Sequence, residues 1–408
     1  MNGVLDGVRV LEVASWTFVP SAGAVLCDWG AEVIKVEHPE TGDPQRGLIT
    51  SGLVPSGPTS VNFMMEQPNR GKRSVGLDLA TPGGLELLYR LAETSDVFLT
   101  NFLPAARKRL HIDVEDIRAR NPNIIYARGT GQGVRGPDAE KGGYDGASFW
   151  ARGGVAMALT PRGLPWPIGQ RPAFGDLAGG MTIAGGISAA LFSRERTGQP
   201  AVVDISLLGL AAWMLSPDIV AAKLFGEVFE TKTKQFSRDQ LPNPIVNNYR
   251  TKDDRFISLM MLESDRYWAD FCRHAGRPEW IDDPRFVDAA ARFENRKECI
   301  HLLDELFASR TLAEWREALA TAAGVWAVAQ TAREIHSDVQ AVANGYLPEV
   351  TSEDGNTFTL VASPVQFDES PVELRAGPEH GQHTEEVLLE LGLSWEEIAE
   401  HKSAKAIL

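Results

Sequence analysis

The sequence predicts an α/β protein built around a parallel sheet, and three observations carry that prediction. "VRVLEVA" (8–14), "PSAGAVLCDWG" (20–30) and "AEVIKVEHP" (31–39) read as strand, helix and strand. A βαβ unit this compact commits its two strands to run parallel. Alternation of the same kind continues to residue 131. Finally, no uncharged apolar stretch reaches the eighteen or so residues that would direct a helix into a membrane.

In the first unit, Pro20 falls in the first turn of the expected helix and Gly30 just past its end, while Pro39 stops the second strand. "SVGLDL" (74–79), a helix over 81–94 and "DVFLTNF" (96–102) follow, and a helix over 113–120 leads into the strand "NIIYARGTG" (123–131). From 142 to 212 the chain turns to Gly and Ala. Helical segments are expected around "DGASFWARGGVAMAL" and "DLAGGMTIAGGISAALFSRERTG", separated by the Pro/Gly loop "TPRGLPWPIGQRP". "PAVVDISLLGLAAWML" (200–215) reads as a strand entering a helix, and the polar stretch 222–243 as a linker. Beyond it, "NYRTKDDRFISLMML" predicts a hairpin turning at "KDD", and helices rich in Trp and Arg run to about 322. A second hairpin is expected over 347–367, turning at "EDGN". Two helices close the chain, the first capped by Thr384 with Glu385 and Glu386 at its positive end.

At 408 residues the chain is long enough for two domains or three, and 43% apolar with 23% charged residues is the balance of a soluble globular protein. The N-terminus lacks the basic and apolar regions of a signal peptide. Cys27, Cys272 and Cys299 are odd in number and far apart, which argues against a disulfide framework or metal knuckle and fits a reducing cytoplasm. A net charge of −15 repels nucleic acid and anionic membrane, so an anionic ligand needs a specific basic cluster.

Motifs narrow the chemistry. The first βα turn reads "ASWTFVPSAG", with Trp16 and Phe18 where a dinucleotide-binding turn needs glycines. The P-loop and the G-x-S-x-G elbow are absent as well. Two basic clusters, Arg70/Lys72/Arg73 and Arg107/Lys108/Arg109, lie at the ends of expected strands. Brought together they would hold a polyphosphate; otherwise they are a solvated charged face. Asp176 in "AFGDLAGG" leads a small, apolar run with no other charge until Arg194. A carboxylate there either caps a buried helix or is a reactive group in a closed site.

Taken together, "LDGVRVLEVA", "CDWGAEVIKVEHPETGDPQRG", "NRGKRSVGLDLATPGGLELLYRLAETSDVFLTNF", "GGYDGASFWARGG", "GDLAGGMTIAGGISAALFSRERTGQPAVVDISLL" and "GQHTEEVLLELGL" resemble the class III coenzyme A transferases, in order and over almost the whole chain. The resemblance implies that Asp176 is a nucleophile toward an acyl-CoA thioester, with no permanently bound cofactor and no metal. It implies that Tyr144 and Asp145 of "GGYD" sit beside that nucleophile, although by itself Asp145 reads as a helix cap. It places Trp16, Thr17 and Phe18 at the pantetheine and thioester end. His38, Leu77, Asn101, Phe102, Arg109 and Lys141 fall along the rest of coenzyme A. His38 and Leu103 each stand where the family commonly has an arginine. The small residues after Asp176 are expected to let backbone N–H groups approach an oxyanion, and the helix N-terminus to keep Asp176 ionised.

The same family includes α-methylacyl-CoA racemases, the alternative activity. Those pair a His with the acid matching Asp176, and here Tyr144 replaces that His. A phenol, with an ordinary pKa of about 10, abstracts protons poorly near neutral pH, so transferase is the preferred reading. Glu263 resembles an acid of the racemases, and its simpler reading is a solvated loop residue. Formyl-CoA transferases of the family carry a glycine-rich loop in the second domain; no glycine run appears here between 223 and 260, so the resemblance does not extend to formyl or oxalyl groups. Trp16, Phe18 and Trp150 point to a bulkier, apolar acyl chain.

The architecture implied is a Rossmann-like large domain (1–222 with 365–408), a small α/β domain (236–335) and linkers at 223–235 and 336–364. Two chains are expected to interlock as a ring-like homodimer with acyl-CoA and a carboxylic acid as small-molecule partners.

Overall fold

A computed structural model describes residues 3–48, 51, 61–161, 163–226 and 238–408. These form two compact units, Met1–Ile219 with Val339–Leu408, and Val220–Asp338.

The first unit is organised by six parallel strands: β1 (Arg9–Val13), β2 (Glu32–Glu37), β3 (Arg73–Gly76), β4 (Val97–Thr100), β5 (Ile125–Thr130) and β6 (Val202–Ser206). Their order across the sheet is β3-β2-β1-β4-β5-β6, the doubly wound order with one reversal, between β1 and β4. Strand alternation splits the core into two layers. Val10, Val33, Val97, Leu99 and Ile125 face helices α1 (Phe18–Asp28) and α7 (Phe174–Thr197). Leu11, Ile34, Phe98 and Tyr126 face the other side, where α3 (Pro82–Glu93) and the C-terminal helices Thr384–Glu390 and Trp395–Ser403 supply Leu87, Leu88, Leu388 and Ile398. Between these lie α2 (Phe63–Asn69), α4 (Pro104–Arg109), α5 (Val114–Arg120) and α6 (Val155–Leu159), with a π-helical segment at Asp145–Arg152. The first C-terminal helix is capped at His383 and not at Thr384, whose hydroxyl instead accepts the Gly76 N–H at 3.0 Å.

Two glycines of α7, Gly179 and Gly180, have a packing cause. A Cβ on Gly180 would stand 1.9 Å from Ser21 Oγ, and one on Gly179 would stand 2.3 Å from the Phe18 ring. These two residues let α7 close on α1. Gly180→Val is expected to destabilise the protein by about 3 kcal/mol through overpacking, measured by urea unfolding.

After β6 come α8 (Leu207–Met214) and α9 (Ser216–Phe225). The last turn of α9 thus occupies part of the expected linker, whose residues 227–237 lie outside those described. The second unit holds an antiparallel sheet of β7 (Val246–Arg250), β8 (Phe256–Met260) and β9 (Trp326–Val328) over a core of Tyr249, Trp268, Phe271, Phe307 and Trp315. The expected hairpin at 347–367 appears as β10 (Glu349–Thr351) and β11 (Thr357–Thr359) within the first unit. No single described helix is long and apolar enough to cross a membrane.

Candidate active site

A cleft of about 400 Å³ opens at the carboxyl ends of the central strands, where the strand order reverses. That is where open α/β sheets leave a crevice, because consecutive loops there depart to opposite faces. Ser15 and Trp16 enter it from β1, Asn101 and Phe102 from β4, Gly129 and Thr130 from β5, and Leu207 from β6. Asn101 ties the two strand ends together: its Oδ1 accepts the Ser15 N–H at 3.1 Å and its Nδ2 donates to the Ser15 carbonyl at 2.7 Å. Trp16 follows with φ 69°, a left-handed conformation that costs a bulky residue on the order of 1 kcal/mol or more. Its ring stands edge-on to that of Tyr144, with centroids 5.6 Å apart.

Asp176 lines the cleft as the third residue of α7. It is not the cap. Ala173 occupies that position in a left-handed conformation and offers no side-chain oxygen. The capping oxygen comes from Asp145 on the neighbouring π-helical segment, whose Oδ2 accepts the N–H groups of Gly175 at 3.0 Å and Asp176 at 3.3 Å. These are two of the N–H groups that a helix start leaves unpaired. The close approach requires Gly175, where a Cβ would stand 2.4 Å from Asp145 Oδ1 and from the Phe149 ring.

The two acids therefore share one corner. Among the described residues none donates a hydrogen bond to the Asp176 carboxylate. Burial, and secondly the Asp145 charge, push its pKa up to about 7. This overturns the expectation that the helix N-terminus keeps it fully ionised: desolvation of a carboxylate without donors outweighs the helix field. Burial also raises the Asp145 carboxyl, opposed by its hydrogen bonds.

Trp16, Phe18, Asn101, Phe102, Lys141, Tyr144 and Asp176 line this one cleft, as does Leu103. Lys141 is exposed there and pairs with Asp138 at 2.7 Å. A second depression of about 290 Å³ is lined by His38, Leu77, Phe102 and Arg109. Phe102 borders both. Thr17 does not reach the cleft, since its hydroxyl accepts from Gln45 Nε2 at 2.8 Å in the interior. Trp150 is buried beneath α7, with its N–H donating to the Ile168 carbonyl at 3.1 Å, so it is no wall of the acyl site. Glu263 is exposed in the second unit and pairs with Arg266 at 2.9 Å.

The basic clusters do not form a polyphosphate site. Lys72 is buried on Glu12 (2.8 Å), Arg70 on Asp28 (2.7 Å) and Arg107 on Asp113 (3.2 Å). Arg73 pairs with Glu32, Glu386 and Glu390. Internal carboxylates have taken these cations, and only Lys108 and Arg109 of the six remain exposed.

Sequence reasoning missed Glu12, Lys35 and Asp43, which meet beneath the β1–α1 turn. The available signal was an acid inside the apolar strand "VRVLEVA", because a charge in a doubly covered strand must find a buried partner. Among the described residues no group of three or more His, Cys, Asp or Glu could hold a metal ion, and the three cysteines are free.

Comparison with known proteins bears on what such a site does. A (R)-2-hydroxy-4-methylpentanoate CoA-transferase of Clostridioides difficile is 31% identical over 99% of both chains. A cinnamoyl-CoA:phenyllactate CoA-transferase of Clostridium sporogenes is 33% identical over 100% of this chain and 98% of its own. Among solved structures, a CAIB/BAIF family protein from Brucella suis superposes with a TM-score of 0.79 at 28% identity, covering 96% of this chain and all of that one. The two clostridial relatives are named as CoA-transferases and not as racemases, in keeping with Tyr144 in place of the racemase histidine. The model of CoA-transferase family III matches residues 5–384, and the chain belongs to that family as a CoA-transferase.

Proposed function

We propose that Asp176 carries the transferred group through covalent intermediates. A carboxylate oxygen attacks the thioester carbonyl of a donor acyl-CoA, the C–S bond breaks, and a mixed anhydride and CoA thiolate result. The thiolate attacks the Asp176 carbonyl carbon, releasing the donor acid and leaving an aspartyl-CoA thioester. An acceptor carboxylate then repeats the exchange in reverse, restoring Asp176 and forming the new acyl-CoA. Each step substitutes an easier acyl transfer for one difficult displacement. The observation that carries this reading is a cleft-facing Asp176 carboxylate without a hydrogen-bond donor, its pKa pushed up to about 7. Such an oxygen is more basic than an ordinary carboxylate and sheds little solvation when it attacks.

Asp145 orients the nucleophile by holding the first N–H groups of α7. Coenzyme A is assigned to the two adjoining depressions. The thioester end lies along Trp16, Phe18, Asn101, Lys141 and Tyr144, and the nucleotide end along His38, Leu77 and Arg109, with Phe102 shared. The apolar walls around Asp176 favour an apolar acyl chain, as do two relatives named for 4-methylpentanoate and phenyllactate derivatives. We further take the chain to be a cytoplasmic homodimer. Phe192 on α7 and Trp213 on α8 are 65% and 76% exposed, large apolar side chains that a second copy would cover.

The test is the intact mass of the protein after mixing with a panel of acyl-CoA thioesters. A CoA or hydroxylamine-sensitive acyl adduct mapped to Asp176 supports the mechanism. No adduct, with α-proton exchange of a 2-methylacyl-CoA in deuterated water, refutes it. Adduct formation also carries a pH signature. Only ionised Asp176 attacks, so its rate is expected to rise with pH and level off above about 7, read from single-turnover rates between pH 5 and 9.

A further inference from the structure

Trp16 poses a question that the chemistry at Asp176 leaves open: what holds a tryptophan in the left-handed region at the mouth of the cleft? Its backbone N–H donates to Asp43 Oδ1 at 3.1 Å, and that oxygen also accepts the Gln45 backbone N–H at 2.9 Å. Asp43 Oδ2 lies 2.9 Å from Lys35 Nζ. Lys35 in turn donates to the Ala14 carbonyl at 2.7 Å and sits 3.3 Å from Glu12, which Lys72 closes from the far side. Asp43 itself is anchored, its N–H donating to Glu37 Oε2 at 2.9 Å. Asp43 is 2% exposed, and Lys35 and Glu12 are fully buried. The neighbours of Trp16 are held too, Ser15 by Asn101 and Thr17 by Gln45. A strained conformation persists where its surroundings over-determine it, and these contacts do so.

We propose that Asp43 is a positioning residue for the acyl-CoA site. It acts through Trp16, holding the indole against Tyr144 as a wall of the cleft, and Lys35 fixes the Asp43 carboxylate in place. The proposal rests on reading this cleft as the acyl-CoA site. Without the Asp43 acceptor, Trp16 relaxes to negative φ and its ring leaves the wall.

The test is a double-mutant cycle of Asp43→Asn and Trp16→Gly, read as affinity for the unreactive thioether S-(3-phenylpropyl)-CoA by calorimetry, with a melting curve for each variant. Asn fills the Asp43 volume but sets either an amide N–H₂ against Lys35 or its oxygen away from Trp16, while Gly adopts positive φ without strain. Asp43→Asn is expected to weaken binding about tenfold in the native background and to have no further effect beside Trp16→Gly, the non-additivity of residues that act through one another. Asp43→Ala repeats the cycle with the acceptor removed outright. Additive losses, or unchanged affinity with only a lowered melting temperature, overturn the proposal. Failure of the unmodified protein to bind the thioether is a different result, and it refutes the acyl-CoA reading of the cleft.

Discussion

Asp176→Asn is expected to lower CoA transfer on the order of 10⁴-fold, as loss of a covalent nucleophile does, and to abolish the protein's CoA adduct. The amide fills the same space and leaves Asp145 its two N–H donors, so the loss reads the missing nucleophile and not a disturbed helix start. Stability should move the other way. The native Asp176 holds its proton up to about 7, whereas an unperturbed aspartate releases it near 3.8. Between those values the folded state binds more protons than the unfolded chain, so stability falls as pH rises through the window. Asp176→Asn lacks that penalty. Its melting temperature should exceed that of the unmodified protein at pH 8 and converge with it near pH 4. A variant that transfers CoA normally, or one that melts lower at pH 8, contradicts the assignment.

The second large effect is expected at Glu12, far from solvent. Lys72 Nζ contacts both Glu12 oxygens, at 2.9 and 2.8 Å, and among the described residues otherwise donates to the Pro20 carbonyl and Asn69 Oδ1. Burial has already lowered the Lys72 pKa to about 8 against the pull of Glu12. Glu12→Leu removes that pull, so that Lys72 either keeps a buried charge without its partner or gives up its proton, at a cost of about 3–5 kcal/mol at pH 7. Denaturant titration checks this. The deficit should shrink as pH rises to about 8 and level off above it, where Lys72 has shed its proton in either protein, and Glu12→Leu with Lys72→Met should restore much of the loss. A Glu12→Leu protein as stable as the parent would show that the pair holds nothing together.

Strands β1 to β6 were legible because each is a short apolar run between turn residues, and a parallel sheet covered on both faces requires that pattern. Helix starts were less so. Nothing local marks Ala173 as the beginning of α7, since its capping oxygen comes from Asp145, 28 residues earlier in the chain. The acid of "AFGDLAGG" therefore looks like a cap when read alone. The basic clusters misled for a related reason. Residue type gives a charge but not its partner, and the carboxylates that neutralise Arg73 include Glu386 and Glu390 from the far end of the chain.

By itself, then, the sequence determined the parallel α/β framework and the family, and it singled out Asp176 as the candidate nucleophile, because periodicity, turn chemistry and residue type are local properties of the chain. Only the tertiary structure decided that Asp176 is desolvated beside Asp145, that Gly179 and Gly180 face α1, and that Asp43 and Lys35 hold Trp16 at the cleft. Dielectric environment, steric contact and ion pairing depend on distances between segments far apart in sequence. Those distances exist only once the sheet has closed and brought its strand ends together.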